Sequence, residues 1–236
     1  MTAQDTSVDA ESELLTQPHL VVHPSGEIYI KSQRTRRRFH RLLGQHIRGC
    51  LAKASPESRL IDRKQILRIV GGDLEQASQA LARIFGVHKV ARVHPIFCED
   101  LEELADIVGA MTVERVRGRT FAVRVKRRGS HSWSSMDASK AIAKRLFKAS
   151  RGVNLKEPEE MIRVEVLESQ AWLVTHQWEG PKGLPIGAQE RCISLISGGF
   201  DSPVASWMMM RRGCRLDFVH FTLECSQSEH ALGVAH

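Results

Sequence analysis

The segment Ser197–Ser202 limits what this chain can fold into more than any other stretch. Its sequence, SGGFDS, lies between a short apolar run, Cys192–Ile196, and a stretch with the composition of a helix, Pro203–Arg212. A second apolar run, Leu216–Phe221, follows Gly213, a residue type at which helices commonly end. Strand, glycine turn, helix and strand make a βαβ unit, so this segment is predicted to begin a parallel sheet of the α/β class.

The chemistry of the SGGFDS loop is that of an anion-binding cradle. Gly198 and Gly199 let backbone N–H groups approach an anion closely, Ser197 and Ser202 add hydroxyl donors, and the dipole of the following helix favours negative charge. Asp201 would repel bare phosphates, so it is expected to act through Mg²⁺ or through hydrogen bonds that fix the loop. A plain glycine turn into a helix is the alternative. The chain contains no GxGxxG and no Walker lysine motif.

Positive charge is concentrated in two short segments. The formal net charge is +7, and Lys31–Arg48 and Arg115–Arg128 together hold 14 of the 34 Lys and Arg residues without a single acid. An evenly solvated surface would mix the two signs, so the distribution favours a polyanionic partner. Solvated charge on a helix and at a strand end is the competing interpretation.

The first module has the pattern of a small α+β fold. A strand from Leu20, a turn at Pro24 and an extended piece at Glu27–Lys31 precede a helix, and Leu60–Val70 is predicted to be extended. The helix has a basic outer surface and an apolar stripe that recurs every fourth residue: Phe39, Leu43, Ile47 and Leu51. A second helix is predicted to begin at Asp73, with Gln76 in a capping-box position, and to end at Gly86, its stripe being Leu74, Ala77, Leu81, Ile84 and Phe85.

A second α+β module follows. Its predicted elements are a helix from Leu101, a strand from Phe121 with a basic face, a helix capped by Asp137, and two strands, Met161–Leu167 and Ala171–His176. A linker rich in Gly and Pro, Gly180–Gly187, separates it from the SGGFDS segment.

Metal-binding and membrane-spanning classes are disfavoured. The five cysteines form no CxxC pair and four ligands never assemble at a recognised spacing, which predicts reduced thiols and no metal centre. No signal peptide or long apolar run is present, so the chain is predicted to be cytoplasmic and not bound to a membrane. None of Cys192, Cys214 or Cys225 carries a nearby sequence signal for a lowered thiol pKa.

Four stretches resemble one family, the tRNA 4-thiouridine synthases or tRNA sulfurtransferases. SGGFDS with PVASWMMMRRG is similar to the PP-loop of ATP pyrophosphatases. GEIYIKSQRTRRRF resembles the start of the family's ferredoxin-like domain, FAVRVKRRGSHSWSS the core of its THUMP domain, and LPIGAQE the entry into its catalytic domain. The implied organisation is a disordered tail (1–17), a ferredoxin-like domain (18–88), a THUMP RNA-binding domain (89–179), a linker (180–190) and an incomplete PP-loop domain (191–236).

The resemblance implies an ATP- and Mg²⁺-dependent reaction. A tRNA uridine is adenylated, and a persulfide sulfur then displaces AMP to form 4-thiouridine. The implied partners are tRNA and a persulfide donor such as a cysteine desulfurase. Pairing of two subunits as a homodimer and a role in supplying sulfur for the thiamine thiazole are further features of the family.

Site residues follow by the same resemblance. The catalytic residues are Asp201 and Ser202. ATP would be bound by Ser197, Gly198, Gly199, Phe200, Asp201 and Ser202, with adenosine flanked, by the switch-point rule, by Leu195, Ile196, His220 and Phe221. The residues expected to meet tRNA phosphates are Lys31, Arg34, Arg36, Arg37, Arg38, Lys126, Arg127 and Arg128.

Only 46 residues follow Glu190, fewer than a complete parallel nucleotide-binding sheet needs. The expected enzyme is therefore one whose later strands and catalytic cysteine lie outside this sequence, and apolar side chains of the βαβ unit are expected to be exposed. A non-catalytic tRNA-binding protein is the alternative. Release of pyrophosphate from ATP in the presence of tRNA distinguishes the two.

Overall fold

A computed structural model describes residues 14–63, 65–167, 170–221 and 233. It divides into two compact units. One joins Leu20–Ala91 to the chain from Trp178 onward, and the other contains Arg92–Gln177. The tail proposed for residues 1–17 falls largely outside the described residues. Within the described part of the chain, no helix combines the length and the apolar character needed to cross a bilayer.

The first unit begins with an α+β sheet covered by helices. Its elements are β1 (His19–Pro24), α1 (Gly26–Tyr29), α2 (Gln33–Ala54), β2 (Arg59–Arg63), β3 (Ile66–Val70), α3 (Leu74–Leu81) and β4 (Val87–Ile96). The strand order is β2-β3-β1-β4, and β3 is antiparallel to both β1 and β2. The apolar stripe of α2 is buried, as its periodicity predicts: Phe39, Leu43, Ile47 and Leu51.

Two details of this unit differ from the predictions. Glu27–Lys31, predicted to be extended, contains the helical turn α1, because Ser25 accepts a hydrogen bond from the backbone N–H of Glu27 and the turn places Ile28 in the core. The extended stretch Leu60–Val70 is two strands, β2 and β3, joined by a turn in which Gln65 has a φ of 63°.

Helix α3 has its predicted start but an earlier end. Asp73 Oδ1 accepts hydrogen bonds from the N–H groups of Glu75 and Gln76. The helix ends at Leu81, so Ile84 and Phe85, predicted on its stripe, lie in the turn that follows. Gly86, with a φ of +93°, belongs to that turn rather than to the helix end.

The second unit packs two helices on one face of a sheet. Its elements are α4 (Leu101–Val116), β5 (Thr120–Arg128), α5 (Ser135–Leu146), a 3-10 turn (Phe147–Ala149), β6 (Gly152–Val153), β7 (Glu160–Leu167) and β8 (Gln170–Glu179). The order is β8-β7-β5-β6, with β5 parallel to β7 and β7 antiparallel to β8. The cap of α5 is Ser134 rather than Asp137. Asp137 completes a capping box three residues later, because its carboxylate accepts from the N–H of Ser134.

The C-terminal segment forms the predicted βαβ unit. Strands β9 (Arg191–Leu195) and β10 (Arg215–Val219) are parallel, and α6 (Asp201–Arg211) connects them. The expected exposure of apolar side chains is confirmed on this unit: Ile193, Leu195, Val204, Met208, Met209 and Phe218.

The stretch 180–190, predicted to be a linker, is packed rather than extended into solvent. Leu184 and Ala188 are buried in the core cluster that contains the stripe of α2. The N–H of Gly86 donates to Lys182 O at 2.8 Å, and the N–H of Leu184 donates to Arg211 O at 2.9 Å. These contacts attach the 180–190 stretch to the α+β part of the first unit on one side and to α6 on the other.

Candidate functional site

The SGGFDS loop connects the carboxyl end of β9 to the first residue of α6. The N–H of Ile196 donates to Val219 O at 2.9 Å, so the two strands stay paired up to the loop. Ser202 Oγ then accepts from the N–H of Ser197 at 3.0 Å and lies 3.1 Å from Ser197 Oγ. These bonds join the two ends of the loop and place both hydroxyl groups side by side there.

The N-terminus of α6 has no side chain that caps it. Phe200 occupies the N-cap position and is 92% exposed, and no side-chain oxygen accepts from the first N–H groups of the helix. Free N–H groups at a helix start carry partial positive charge and bind anions. Every other helix of eight or more residues in the described chain has a side-chain cap, so this helix start differs from the rest.

Both glycines of the loop have open space beside them. A Cβ atom at Gly198 would meet no heavy atom within 4 Å, and one at Gly199 would meet only Ser197 Oγ at 3.7 Å. Neither has a φ in the left-handed region. Contacts within the chain therefore do not demand glycine here, whereas close approach of a ligand to the backbone would.

Asp201 is exposed and its side chain has no hydrogen-bond or ion-pair partner among the described residues. Of the two roles expected for it, the fixing of the loop belongs instead to serine hydroxyls. Ser206 Oγ donates to Ser202 O at 2.7 Å and lies 2.7 Å from Ser194 Oγ on β9. The Asp201 carboxylate is left available to a ligand or a cation. In the described part of the chain, no three His, Cys, Asp or Glu side chains cluster as a metal site.

Of the four residues predicted to flank adenosine, two have exposed side chains and a third, His220, has a ring nitrogen without a hydrogen bond in the described residues. Leu195 and Phe221 are exposed, while Ile196 is buried and can offer a ligand only its backbone. The Nδ1–H of His220 donates to Ile196 O at 2.8 Å, so in the neutral ring Nε2 is the acceptor nitrogen. His220 Nε2 is buried and unbonded in the described residues, so it can accept from a ligand's N–H or O–H.

The predicted tRNA contacts on α2 separate into two groups. Lys31, Arg34 and Arg37 are exposed and Arg36 is half-buried. Arg38 instead turns toward the 180–190 segment, where its Nη2 donates to Ala188 O at 3.1 Å and more weakly to Gly187 O. Arg38 therefore holds the 180–190 segment against α2.

The predicted contacts on β5 lie on both faces of the sheet. Lys126 and Arg128 share a face with Arg124, because side chains alternate along a strand, and Arg127 points the other way. The parallel register adds Arg163 of β7 beside Arg124. The predicted tRNA contacts did not include Arg124 or Arg163. The alternation of β5 places Arg124 on its basic face, and the pairing with β7 places Arg163 beside it.

Part of the positive charge of Arg115–Arg128 is neutralised by acids from elsewhere. Arg115 forms an ion pair with Glu160, and Arg117 forms one with Glu114. Arg119 lies 3.9 Å from Glu160 as well. The charge that remains available for a polyanion is therefore concentrated toward the end of β5.

Three of the four cysteines in the described chain have a raised thiol pKa. Burial raises the pKa of the Cys50, Cys98 and Cys214 thiols, and a hydrogen bond with Cys192 raises the pKa of Cys214 further. Cys225 lies outside the described residues.

We expect these three thiols to react with iodoacetamide at pH 7 about an order of magnitude more slowly than free cysteine, because a raised pKa lowers the thiolate fraction. Their rates should rise as the pH approaches the raised pKa values. Peptide mass spectrometry after timed alkylation measures each site, and the denatured chain is the control in which all sites react alike. Modification of Cys214 before the others in the native protein would contradict this assignment.

Comparison with family models matches three consecutive parts of the chain. Residues 19–91 match the ThiI ferredoxin-like domain, residues 98–176 match the THUMP domain, and residues 187–236 match Thiamine biosynthesis protein (ThiI). Two solved structures are similar over 92% of this chain. PH1313 from Pyrococcus horikoshii has a TM-score of 0.75 at 24% identity over 72% of its chain. A 4-thiouridine synthetase in complex with RNA and bound ATP has a TM-score of 0.68 at 22% identity over 57% of its chain. At these identities they support the fold.

Curated relatives are more similar in sequence. The tRNA sulfurtransferase of Desulfurococcus amylolyticus is 40% identical over 222 residues, which are 92% of this chain and 45% of the relative. The probable tRNA sulfurtransferase of Sulfurisphaera tokodaii is 37% identical over 86% of this chain and 54% of the relative. The chain thus spans about half the length of these relatives. With its ferredoxin-like, THUMP and PP-loop segments in the order of the three family models, it belongs to the tRNA sulfurtransferase family.

Proposed function

We propose that this chain supplies the ATP-binding loop and the RNA-binding surface of a tRNA sulfurtransferase that converts a tRNA uridine to 4-thiouridine. The observation that carries the proposal is the uncapped start of α6, with its exposed glycines and paired serine hydroxyls at the carboxyl end of β9. Relatives that are 35–40% identical are named tRNA sulfurtransferase or probable tRNA sulfurtransferase.

The loop would hold the phosphates of ATP. Backbone N–H groups of the loop and of the first turn of α6 face the anion, and the hydroxyls of Ser197 and Ser202 add donors. When the uridine carbonyl oxygen attacks the α-phosphorus, pyrophosphate leaves with its negative charge. Donors already in place stabilise the charge that develops on the leaving group, without the cost of reorganising solvent. The terminal sulfur of a persulfide would then bond to the activated carbon as AMP leaves. A second thiol would cleave the S–S bond, which releases 4-thiouridine and leaves a disulfide.

Asp201 and the phosphate oxygens would together hold Mg²⁺, whose coordination is usually completed by substrate oxygens and water rather than by a protein cage. That chemistry fits an exposed carboxylate that belongs to no cluster of three or more His, Cys, Asp or Glu side chains in the described part of the chain. When bound, the ion neutralises phosphate charge and polarises the reacting phosphoryl group. His220 Nε2, as an acceptor, would accept a hydrogen bond from the nucleoside.

The basic residues would position tRNA by its phosphates rather than by its sequence. The contacts would come from Lys31, just before α2, from Arg34, Arg36 and Arg37 on α2, and from Lys126, Arg127 and Arg128 on β5. A persulfide donor such as a cysteine desulfurase would supply the sulfur, and the reaction would take place in the cytoplasm. From the family we further expect a homodimer and a role in supplying sulfur for the thiamine thiazole.

The test is release of pyrophosphate from ATP in the presence of tRNA, measured on the protein at the length found in its own cells, with nucleoside mass spectrometry of the tRNA product. Release that requires tRNA, together with 4-thiouridine in the product, supports the proposal. Binding of tRNA without either signal would replace it with the non-catalytic tRNA-binding function.

Removing the charge at the end of β5 should weaken tRNA binding. We expect the double substitution Lys126→Ala/Arg128→Ala to lower affinity by roughly tenfold near physiological salt, and to reduce the slope of log affinity against log salt by about 2. Filter binding or fluorescence anisotropy across a salt series measures both quantities.

Arg117→Ala is the matched control, because that guanidinium is already paired with Glu114 in the same unit. A control that loses as much affinity as the double variant would show that net charge, rather than this strand end, determines binding.

A further inference from the structure

A cleft on the outer side of α2 is lined by three arginines that have no hydrogen-bond or ion-pair partner in the described part of the chain. Arg37, Arg41, Gly44 and Arg48 follow one another at helical spacing and so share one stripe of the helix. The opposite wall comes from β2 and the turn after it, and the cleft has a volume of about 290 Å³. We name it the arginine cleft; its lining residues are Arg37, His40, Arg41, Gly44, Arg48, Asp62 and Gln65.

The three arginines of the cleft are not neutralised by the protein. None of them has a hydrogen-bond or ion-pair partner in the described part of the chain. Arg37 and Arg41 are four residues apart, a spacing at which like charges destabilise a helix. The fold therefore tolerates a cost here that an external anion would remove.

Asp62, the acid that lines the cleft, is already paired with His40. His40 Nε2 lies 2.9 Å and 3.0 Å from the two carboxylate oxygens of Asp62. This pair directs the carboxylate toward His40 rather than toward the arginines. An anion in the cleft would meet guanidinium groups with the acid held aside.

Gly44 forms part of the lining and has no role that requires glycine within the chain. A glycine inside a 22-residue helix costs about 1 kcal/mol relative to alanine. A Cβ atom there would be 3.7 Å from Arg48 Nη1 and 3.8 Å from Leu60 Cδ2, which are ordinary contacts. Alanine would fit, so the glycine keeps room in the cleft instead of avoiding a clash.

We propose that the arginine cleft binds a phosphate group of the RNA that the chain grips. Guanidinium groups match phosphate oxygens in a two-pronged geometry, and such contacts fix position without specifying sequence. The inference rests on the proposed function and extends it to Arg41 and Arg48. The phosphate is either an internal phosphodiester or the terminal monophosphate of the RNA.

The experiment measures tRNA affinity of the wild-type protein and of Arg41→Ala, Arg48→Ala and Arg83→Ala. Arg83 is an exposed arginine of the same unit outside the cleft, so its removal controls for net charge. Each cleft variant is expected to lose about tenfold in affinity and about 1 in salt slope, and the control to lose less than about threefold. Arg41→Lys, which keeps the charge but loses the fork, should bind worse than wild type. Circular dichroism checks that each variant is folded.

A comparison of two RNAs shows whether the cleft binds an internal phosphodiester or the terminal phosphate. RNA with and without a 5′-phosphate is compared: equal losses in the cleft variants identify an internal phosphodiester, and a loss only with phosphorylated RNA identifies the terminus. If inorganic phosphate binds the cleft while the variants bind RNA like wild type, the RNA assignment is overturned. Cleft variants that match Arg83→Ala also overturn it and leave the proposed function intact. A wild-type protein that fails to bind tRNA refutes both.

Discussion

Replacing Asp201 with Ala is expected to reduce turnover of ATP by at least about a hundredfold while leaving tRNA affinity within about twofold of wild type. The Asp201 side chain is exposed at the first residue of α6 and has no bonding partner in the described chain. Its removal should therefore not lower the stability of the fold. A carboxylate beside phosphates is repulsive unless a cation joins them, and loss of that cation would remove charge neutralisation on the leaving pyrophosphate. Pyrophosphate release and RNA binding are measured on the same preparation.

Two further variants test whether the effect comes from the charge of Asp201 and whether it is specific to this carboxylate. Asp201→Asn keeps size and hydrogen-bonding capacity but removes the charge, so it should be nearly as impaired as Ala. Asp217→Ala removes a carboxylate of the same βαβ segment that pairs with Arg191, and it should retain most activity. If tRNA affinity fell together with activity in Asp201→Ala, the division of labour between the loop and the basic surfaces would be wrong.

Gly183→Ala is expected to destabilise the first unit by about 3 kcal/mol or more and to separate the βαβ segment from α2. Gly183 has a φ of +71°, and a Cβ atom there would lie 2.1 Å from Arg211 O and 3.0 Å from the carbonyl carbon of that residue. Backbone atoms cannot give way as a flexible side chain does. The hydrogen bond from Leu184 N–H to Arg211 O would be lost with the contact. Chemical denaturation and limited proteolysis around residues 180–190 measure the effect.

Gly118→Ala is the matched control for this substitution. Gly118 has a similar φ of +65° but open space where a Cβ atom would point. It should cost only about 1–2 kcal/mol, the penalty of a left-handed conformation for a residue with a side chain. If both variants lost the same stability, the close packing of the 180–190 segment against α6 would not contribute to holding the βαβ segment in place.

Local features of the sequence determined most of the elements. The stripe Phe39 to Leu51 predicts α2, because a period near four residues has one structural meaning. The SGGFDS loop between two apolar runs predicts the parallel βαβ unit and the place of the proposed anion site. The prediction that Glu27–Lys31 is extended is wrong, because Ser25 caps a helical turn there and Ile28 is buried.

The tertiary structure decided which charged residues are available and which are already in use. Arg38 is adjacent in sequence to Arg37, yet one bonds to the carbonyl of Ala188, 150 residues away, and the other lines an open cleft. Arg115 and Arg117 belong to the most basic stretch of their unit, but Glu160 and Glu114 neutralise them. Periodicity and capping depend on neighbours within a few residues, so the sequence alone determines them. The partner of a long side chain depends on which distant segment packs beside it, and that is known only once the chain is folded.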